Sequence, residues 1–162
     1  MTETIAAHGE VRALGPADTD RYCNHLTRLD PDARRMRFFA DVSDFHVLFH
    51  AGAALSDGRT VIGYVEDDEI RGACELLPSA DDPHGAEAAF SVEQDWRRHG
   101  IGGLLMTAII DAARQRGAQR IELQCLKTNV PMQALAARFT SDLRQIGDTT
   151  LAVLDNRTAA VG

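Results

Sequence analysis

The spacing of apolar residues changes period along the chain, and each change marks an element. "HGEVRAL" (8–14) alternates apolar and polar positions, the pattern of a half-buried strand. "GPADTDRYCNHLTRL" (15–29) follows as a helix with Pro16 in its first turn. "DPDARRMRFFA" (30–40) predicts a short second helix, with Asp30 as its cap and Pro31 at the first helical position. "DVSDFHVLFHAGAAL" (41–55) predicts a third. "TVIGYVEDD" and "EIRGACELLP" are β-like runs joined through the acidic turn "EDDE", which fits a hairpin.

After the loop "SADDPHG", "AEAAFSV" (86–92) predicts a fourth strand. In the helix beyond it, Ile101, Leu104, Leu105, Ala108, Ile109 and Ala112 recur at 3.6-residue spacing and predict one buried stripe, ended by Gly117. "QRIELQCL" predicts a fifth strand, "VPMQALAARF" a further helix, and "SDLRQI" with "TTLAVLD" a closing strand pair. The pattern implies an α/β (α+β) domain with a mixed central sheet of about seven strands flanked by helices. Its passage over 86–126 is expected to be a right-handed parallel crossover.

Composition narrows the class. At 162 residues, a single domain over 1–156 with a frayed tail over 157–162 is expected, large enough to bury roughly 70% of the surface of its unfolded chain. Seventeen Lys and Arg against 24 Asp and Glu leave a net charge of −7. That argues against non-specific nucleic-acid binding and leaves room for a cationic substrate, such as a lysine side chain or a polyamine. No apolar run approaches the ~20 residues of a membrane-spanning helix, and "MTETIAAHGE" lacks the basic and apolar regions of a signal peptide. Cys23, Cys74 and Cys125 are widely spaced without a C-x-x-C arrangement. A reducing cytoplasm is therefore expected, without a disulfide framework or zinc ribbon.

Against this acidic background the turn Arg97-Arg98-His99-Gly100-Ile101-Gly102 is locally basic and lies directly under a helix N-terminus. One reading is a strand-to-helix turn whose glycines relieve backbone strain and whose arginines are solvated. A Walker loop is excluded because no G-x-x-x-x-G-K-[ST] string exists. A dinucleotide fingerprint fails at its third position, which is Leu105, although Glu122 lies about twenty residues on. The reading that uses every residue is a pyrophosphate site. Unpaired N–H groups and the helix dipole favour an anion, and Arg97 and Arg98 add charge. Gly100, Gly102 and Gly103 keep side chains out of the way.

The string from Val92 through Arg97 to Gly100 and Gly102 matches V-x-x-x-x-[RQ]-x-x-G-x-G, and it resembles the acyl-CoA-binding motif of the GNAT (Gcn5-related) N-acetyltransferases. "NVPMQALAARF" resembles that family's N-x-x-[AM]-x-x-L segment, with Asn129, Met132 and Leu135 in place. The resemblance extends over about 59–154, and "RRMRFF", "AEAAFSV" and "NVPMQALAARF" are most similar to bacterial Pat-type protein-lysine acetyltransferases. It implies a GNAT fold with a splayed pair of parallel strands holding acyl-CoA. Acetyl-CoA would be the co-substrate, without a metal, and a primary amine the acceptor, probed first as a protein lysine. Small-molecule amines (a polyamine or an aminoglycoside) and a non-catalytic acyl-CoA sensor are the alternatives. Cofactor contacts are implied for Val92, as the oxyanion donor, and for Arg97, Arg98, His99, Gly100, Ile101, Gly102, Gly103 and Asn129.

An amine of pKa ~10.4 is protonated at neutral pH, so attack on a thioester calls for a base. Glu75, Glu87, Glu93 and Glu122 are the candidates, and the resemblance implies Glu87, which alternation places on one strand face with Ala89 and Ser91. The plainer alternative for Glu87 is a solvent-facing acid at a strand end. Glu75 is the reserve, and Glu93 is expected to face water. Many GNAT enzymes carry a tyrosine after the signature leucine to protonate the departing thiolate, but here that position is Ala136. Tyr22 and Tyr64 are distant in sequence and neither takes the role. His46 and His50, four apart, lack a neighbouring glutamate or an evident third ligand, so zinc is not expected. Cys125 reads as a small buried residue and Trp96 as cover for the turn, while "RRMRFF" reads either as an acceptor-recognition element or, at least as well, as an amphipathic helix packing Met36 and Phe39.

Overall fold

Pairing of the apolar strand faces organises the chain around one sheet. The computed structural model describes residues 8–57 and 59–157. Apart from Arg157, the expected tail lies outside the described residues. The strands are β1 (Glu10–Ala13), β2 (Thr60–Glu66), β3 (Glu69–Pro78), β4 (Gly85–Val92), β5 (Arg120–Leu126), β6 (Leu143–Ile146) and β7 (Thr149–Asp155). Their order is β1-β2-β3-β4-β5-β7-β6. Among the described residues only β4 and β5 pair in parallel, across the predicted strand–helix–strand passage. The β2–β3 hairpin turns through Asp67 and Asp68, both left-handed at φ 55° and 62°, the backbone that matches strand twist in a tight hairpin.

Among the described residues five α-helices cover the sheet: α1 (Thr19–Arg28), α2 (Pro31–Phe38), α3 (Asp44–Ser56), α4 (Ile101–Gln115) and α5 (Val130–Ala137). Asp30 caps α2 as expected, its Oδ1 accepting from the Ala33 N–H at 2.9 Å. Pro16, by contrast, opens a separate 3₁₀ turn over Pro16–Asp18 before α1 begins. The cause is Asp18, whose carboxylate accepts from the Gly15 N–H at 3.0 Å and from both terminal nitrogens of Arg12 at 2.8 and 3.0 Å. That clamp fixes the tighter turn.

Two cores result, one on each sheet face. On one side Ile101, Leu105, Met106 and Ile109 of α4 pack on Cys74, Leu76, Ala88 and Leu123. Leu104 departs from the predicted stripe: it is 45% exposed, while Met106 is fully buried. The stripe that meets the sheet is narrower than the apolar face of the helix. Helix α4 ends in paired bonds from the Gly117 N–H to the Arg114 oxygen and from the Ala118 N–H to the Ala113 oxygen, the glycine-terminated motif expected there. On the other face α1–α3 bury Leu26, Val47, Ala51 and Ala54 against Val61, Ile70 and Ala73.

The parallel pair holds only from Gly85 to Ala88 on β4 and from Arg120 to Leu123 on β5. Beyond that point β4 stays on β3 as far as Val92, and β5 stays on β7. The two strands therefore part in mid-sheet, below the N-terminus of α4.

Candidate active site

Where β4 and β5 part, a cavity of about 530 Å³ opens. Its walls come from Phe90, Ser91 and Val92 of β4, from the basic turn, and from Asn129, Met132, Leu135 and Arg138 in and beside α5. Ala33, Met36 and Arg37 of α2 close it on the opposite side. Of the cofactor contacts inferred from sequence, Val92, Arg97, Arg98, Gly100, Ile101, Gly102, Gly103 and Asn129 line it. His99 does not; its ring packs edge-on to Trp96 at 6.3 Å between centroids.

The turn is built to leave donors free. Gly100 caps α4 in a left-handed conformation, φ 81°, and no side chain caps the helix. The first backbone bond to the turn is from the Leu104 N–H to the Gly100 oxygen at 3.2 Å, so the amides before Leu104 keep the unpaired donors of a helix start. At Gly102 a Cβ would approach Leu135 Cδ2 of α5 to 3.0 Å, a tight contact that a glycine avoids. Among the described residues Arg97, Arg98 and Arg138 have no carboxylate partner within ion-pair distance. Three guanidiniums without a carboxylate partner around a helix start, in an acidic chain, fit a polyphosphate. Arg138 was legible only as a residue one turn beyond Leu135.

Asn129 serves locally as the cap of α5, its Oδ1 accepting from the Met132 N–H at 3.2 Å, and it faces the cavity from there. The Val92 oxygen accepts from Arg97 Nε at 3.3 Å, which ties the strand end to the turn.

The acids divide sharply. Glu87 is exposed, in register with Leu77 and Glu122, and does not line the cavity. Four positions separate it from Ser91 on the same face, about 13 Å at the usual strand rise. Glu75 is committed elsewhere: it is buried between Arg37 and His50, and His50 Nε2 lies 2.9 Å from its Oε1. Glu93 corrects the sequence reading outright. It is only 6% exposed, because α1 and β3 bring cations to it: Arg28 Nε donates at 2.8 Å and a terminal nitrogen of Arg71 at 3.3 Å.

Glu93 also meets a histidine that sequence reasoning missed. His25 of α1 is fully buried, with Nδ1 2.9 Å from Glu93 Oε2 and Nε2 2.8 Å from Ser91 Oγ. Burial pushes the imidazole below its ordinary pKa in spite of the carboxylate beside it. Burial alone would raise Glu93, but bonds from His25 and Arg28 hold its carboxyl below the usual range. A neutral imidazole in this position has one nitrogen donating and the other accepting. These partners lie 66 and 68 residues apart, beyond the reach of any local pattern.

The other candidates settle into structural positions. Ala136 is buried at 2% exposure. Tyr22 and Tyr64 lie outside the cavity wall, and burial pushes the Tyr22 hydroxyl up to about 12. Cys125 is buried and its thiol is pushed up by burial, which disfavours a thiolate. Trp96 lies beneath Arg71, whose guanidinium carbon is 4.8 Å from its ring centre. Phe39, expected to pack, is 45% exposed because it leaves α2 in a left-handed conformation. Among the described residues no cluster of three or more His, Cys, Asp or Glu side chains could hold a metal ion, and no helix is long and apolar enough to cross a membrane.

A sequence profile described as the Acetyltransferase (GNAT) family matches residues 19–140. The GNAT domain of Streptomyces lividans PAT is similar in fold, at a TM-score of 0.80 and 19% identity over 91% of this chain and 90% of that one. YncA of Salmonella typhimurium, solved with its cofactor acetyl-CoA, gives 0.70 and 17% over 94% and 96%. A ribosomal-protein-alanine N-acetyltransferase from Brucella melitensis gives 0.68 and 18% over 89% and 96%.

Proposed function

The chain belongs to the GNAT acetyltransferase family, whose acetyl donor is acetyl-CoA, and on that premise we propose that its acceptor is a primary amine on a protein, a lysine side chain foremost. The supporting observation is the cavity itself, which joins the parting of β4 and β5, the start of α4 and the signature face of α5 in one space. The Pat-like segments named above favour a protein acceptor. We assign residues 1–156 to a single acyltransferase domain.

In this reading the free amides before Leu104, with Arg97, Arg98 and Arg138, hold the diphosphate of acetyl-CoA. Gly100, Gly102 and Gly103 keep that approach open, and Ile101 seats the turn on the core. His99 supports the turn through Trp96 instead of by direct contact. Asn129 touches the cofactor from the far side of the gap, and the Val92 N–H donates to the thioester oxygen as charge develops there. The bound cofactor supplies an activated acetyl group. Glu87, exposed on the strand face it shares with Ser91, draws one proton from the incoming ammonium through water.

Release of free CoA from acetyl-CoA, followed with lysine peptides, polyamines and aminoglycosides in parallel, tests the proposal. Turnover with peptides is expected. Turnover with polyamines or aminoglycosides alone would move the acceptor to small molecules. CoA binding without any turnover would leave an acyl-CoA sensor.

A further inference from the structure

Acetylation of an ammonium removes two protons from one nitrogen. One must leave before attack, when the lone pair is freed. The other must leave afterwards, while the sulfur of the departing thiolate gains one. Glu87 accounts for the first. Position 136, where a phenol would stand to serve the second, is a buried alanine.

Ser91 lies on the cavity wall between Phe90 and Val92, at the point where β4 has parted from β5. Its hydroxyl begins a continuous chain: Ser91 Oγ to His25 Nε2 at 2.8 Å, and His25 Nδ1 to Glu93 Oε2 at 2.9 Å. The order hydroxyl, imidazole, carboxylate is one in which a proton can move along and return. His25 has 0% exposure, so water cannot short-circuit the exchange. Glu93 is anchored by Arg28 and Arg71 and holds the Nδ1 proton, leaving the Nε2 lone pair for Ser91. Tyr22 lies near-parallel to the imidazole, 11° between planes and 6.3 Å between ring centres.

We propose that Ser91, backed by His25 and Glu93, is a two-way proton relay that takes the second proton from the acceptor nitrogen and delivers it to the CoA sulfur. The inference rests on the acyl-CoA reading of the cavity. As the nitrogen–carbon bond forms, Ser91 Oγ accepts the nitrogen's proton and passes its own to His25 Nε2. As the carbon–sulfur bond breaks and sulfur keeps the electron pair, Ser91 donates a proton to sulfur and His25 returns the one it holds. Serine, histidine and glutamate end as they began. The products are amide and thiol, and the single net proton released is the one that went to Glu87. Ser91 is the catalytic residue; His25 acts through it, and Glu93 positions His25.

The test pairs His25→Gln, which keeps a donor and an acceptor but cannot carry the proton, with Ser91→Ala. Each is expected to lower kcat for CoA release with poly-L-lysine by about 10²-fold or more, with calorimetric affinity for CoA held within about twofold. A bracing role alone would shift the melting temperature and spare kcat, and that result overturns the relay. Nitrogen-15 NMR of the ligand-free protein provides a reading independent of activity: His25 should be neutral at pH 7, protonated on Nδ1 and bare on Nε2. The opposite tautomer, or an acetyl group found on Ser91, overturns it as well. Wild type that binds no CoA would sink the cavity's assignment itself, a distinct failure from variants that bind CoA and turn over normally.

Discussion

Glu75 on β3 and Arg37 on α2 meet as an ion pair sealed inside the protein, their side chains 1% and 8% exposed. The pair joins the sheet to the helix that closes the cavity, since Arg37 lines its wall. A buried pair adds little net stability over apolar residues of the same volume, but removing one partner strands the other's charge. Glu75→Gln is expected to destabilise the fold by about 3–5 kcal/mol in chemical denaturation. Joint replacement of both residues by apolar side chains of similar size should recover most of that loss. A double-variant loss equal to the sum of the two single losses would show that the pair is not coupled.

Glu87→Gln tests the assigned base. Because Glu87 is exposed and outside the cavity wall, its stability should move by less than about 0.5 kcal/mol, and calorimetric CoA affinity should not change. Turnover should fall about 10²–10⁴-fold. Undiminished CoA release would remove Glu87 from the chemistry.

Arg98→Ala and Arg138→Ala test the phosphate grip. Each charge-assisted bond contributes about 1.5–3 kcal/mol, so Kd for CoA should rise roughly tenfold to a hundredfold per substitution. Dephosphorylated pantetheine, which lacks the diphosphate, should not distinguish variants from wild type. A parallel loss for both ligands would mean that the arginines act elsewhere.

Asp18 sets an acid-stability window. The bond from Arg12 lowers its carboxyl to about 2, from an ordinary value of 3.8. A depressed folded-state pKa contributes stability that is complete above the unfolded value and lost as pH falls through the folded one. Asp18→Asn should therefore cost about 1–2 kcal/mol at neutral pH and flatten the decline in stability between pH 4 and 2. Denaturation midpoints across that range are the measurement. A decline as steep as wild type's would refute the assignment.

Much of the architecture was legible because it is local. Apolar periodicity placed the strands and helices. Asp30 and Pro31 announced α2, Gly117 announced the end of α4, and the Val92–Gly102 spacing marked the turn at its start. Where local pattern met tertiary constraint it erred. Leu104 has the right spacing for burial, yet the sheet beneath α4 covers a narrower stripe. Pro16 is well placed for an α-helix, yet the Arg12–Asp18 clamp tightens the turn.

Sequence by itself determined the elements, the family motif and the basic turn, since each depends on residues within one or two turns or strand repeats. Only the tertiary structure decided which acids are free. Glu75 and Glu93 carry the same charge pattern as Glu87 in the sequence, but packing of α1 and α2 on the sheet supplies partners to those two and leaves Glu87 in water. The desolvation of a carboxylate and the cation that offsets it depend on distance in space, and contacts made across 25 to 68 residues of chain leave no trace in its local pattern.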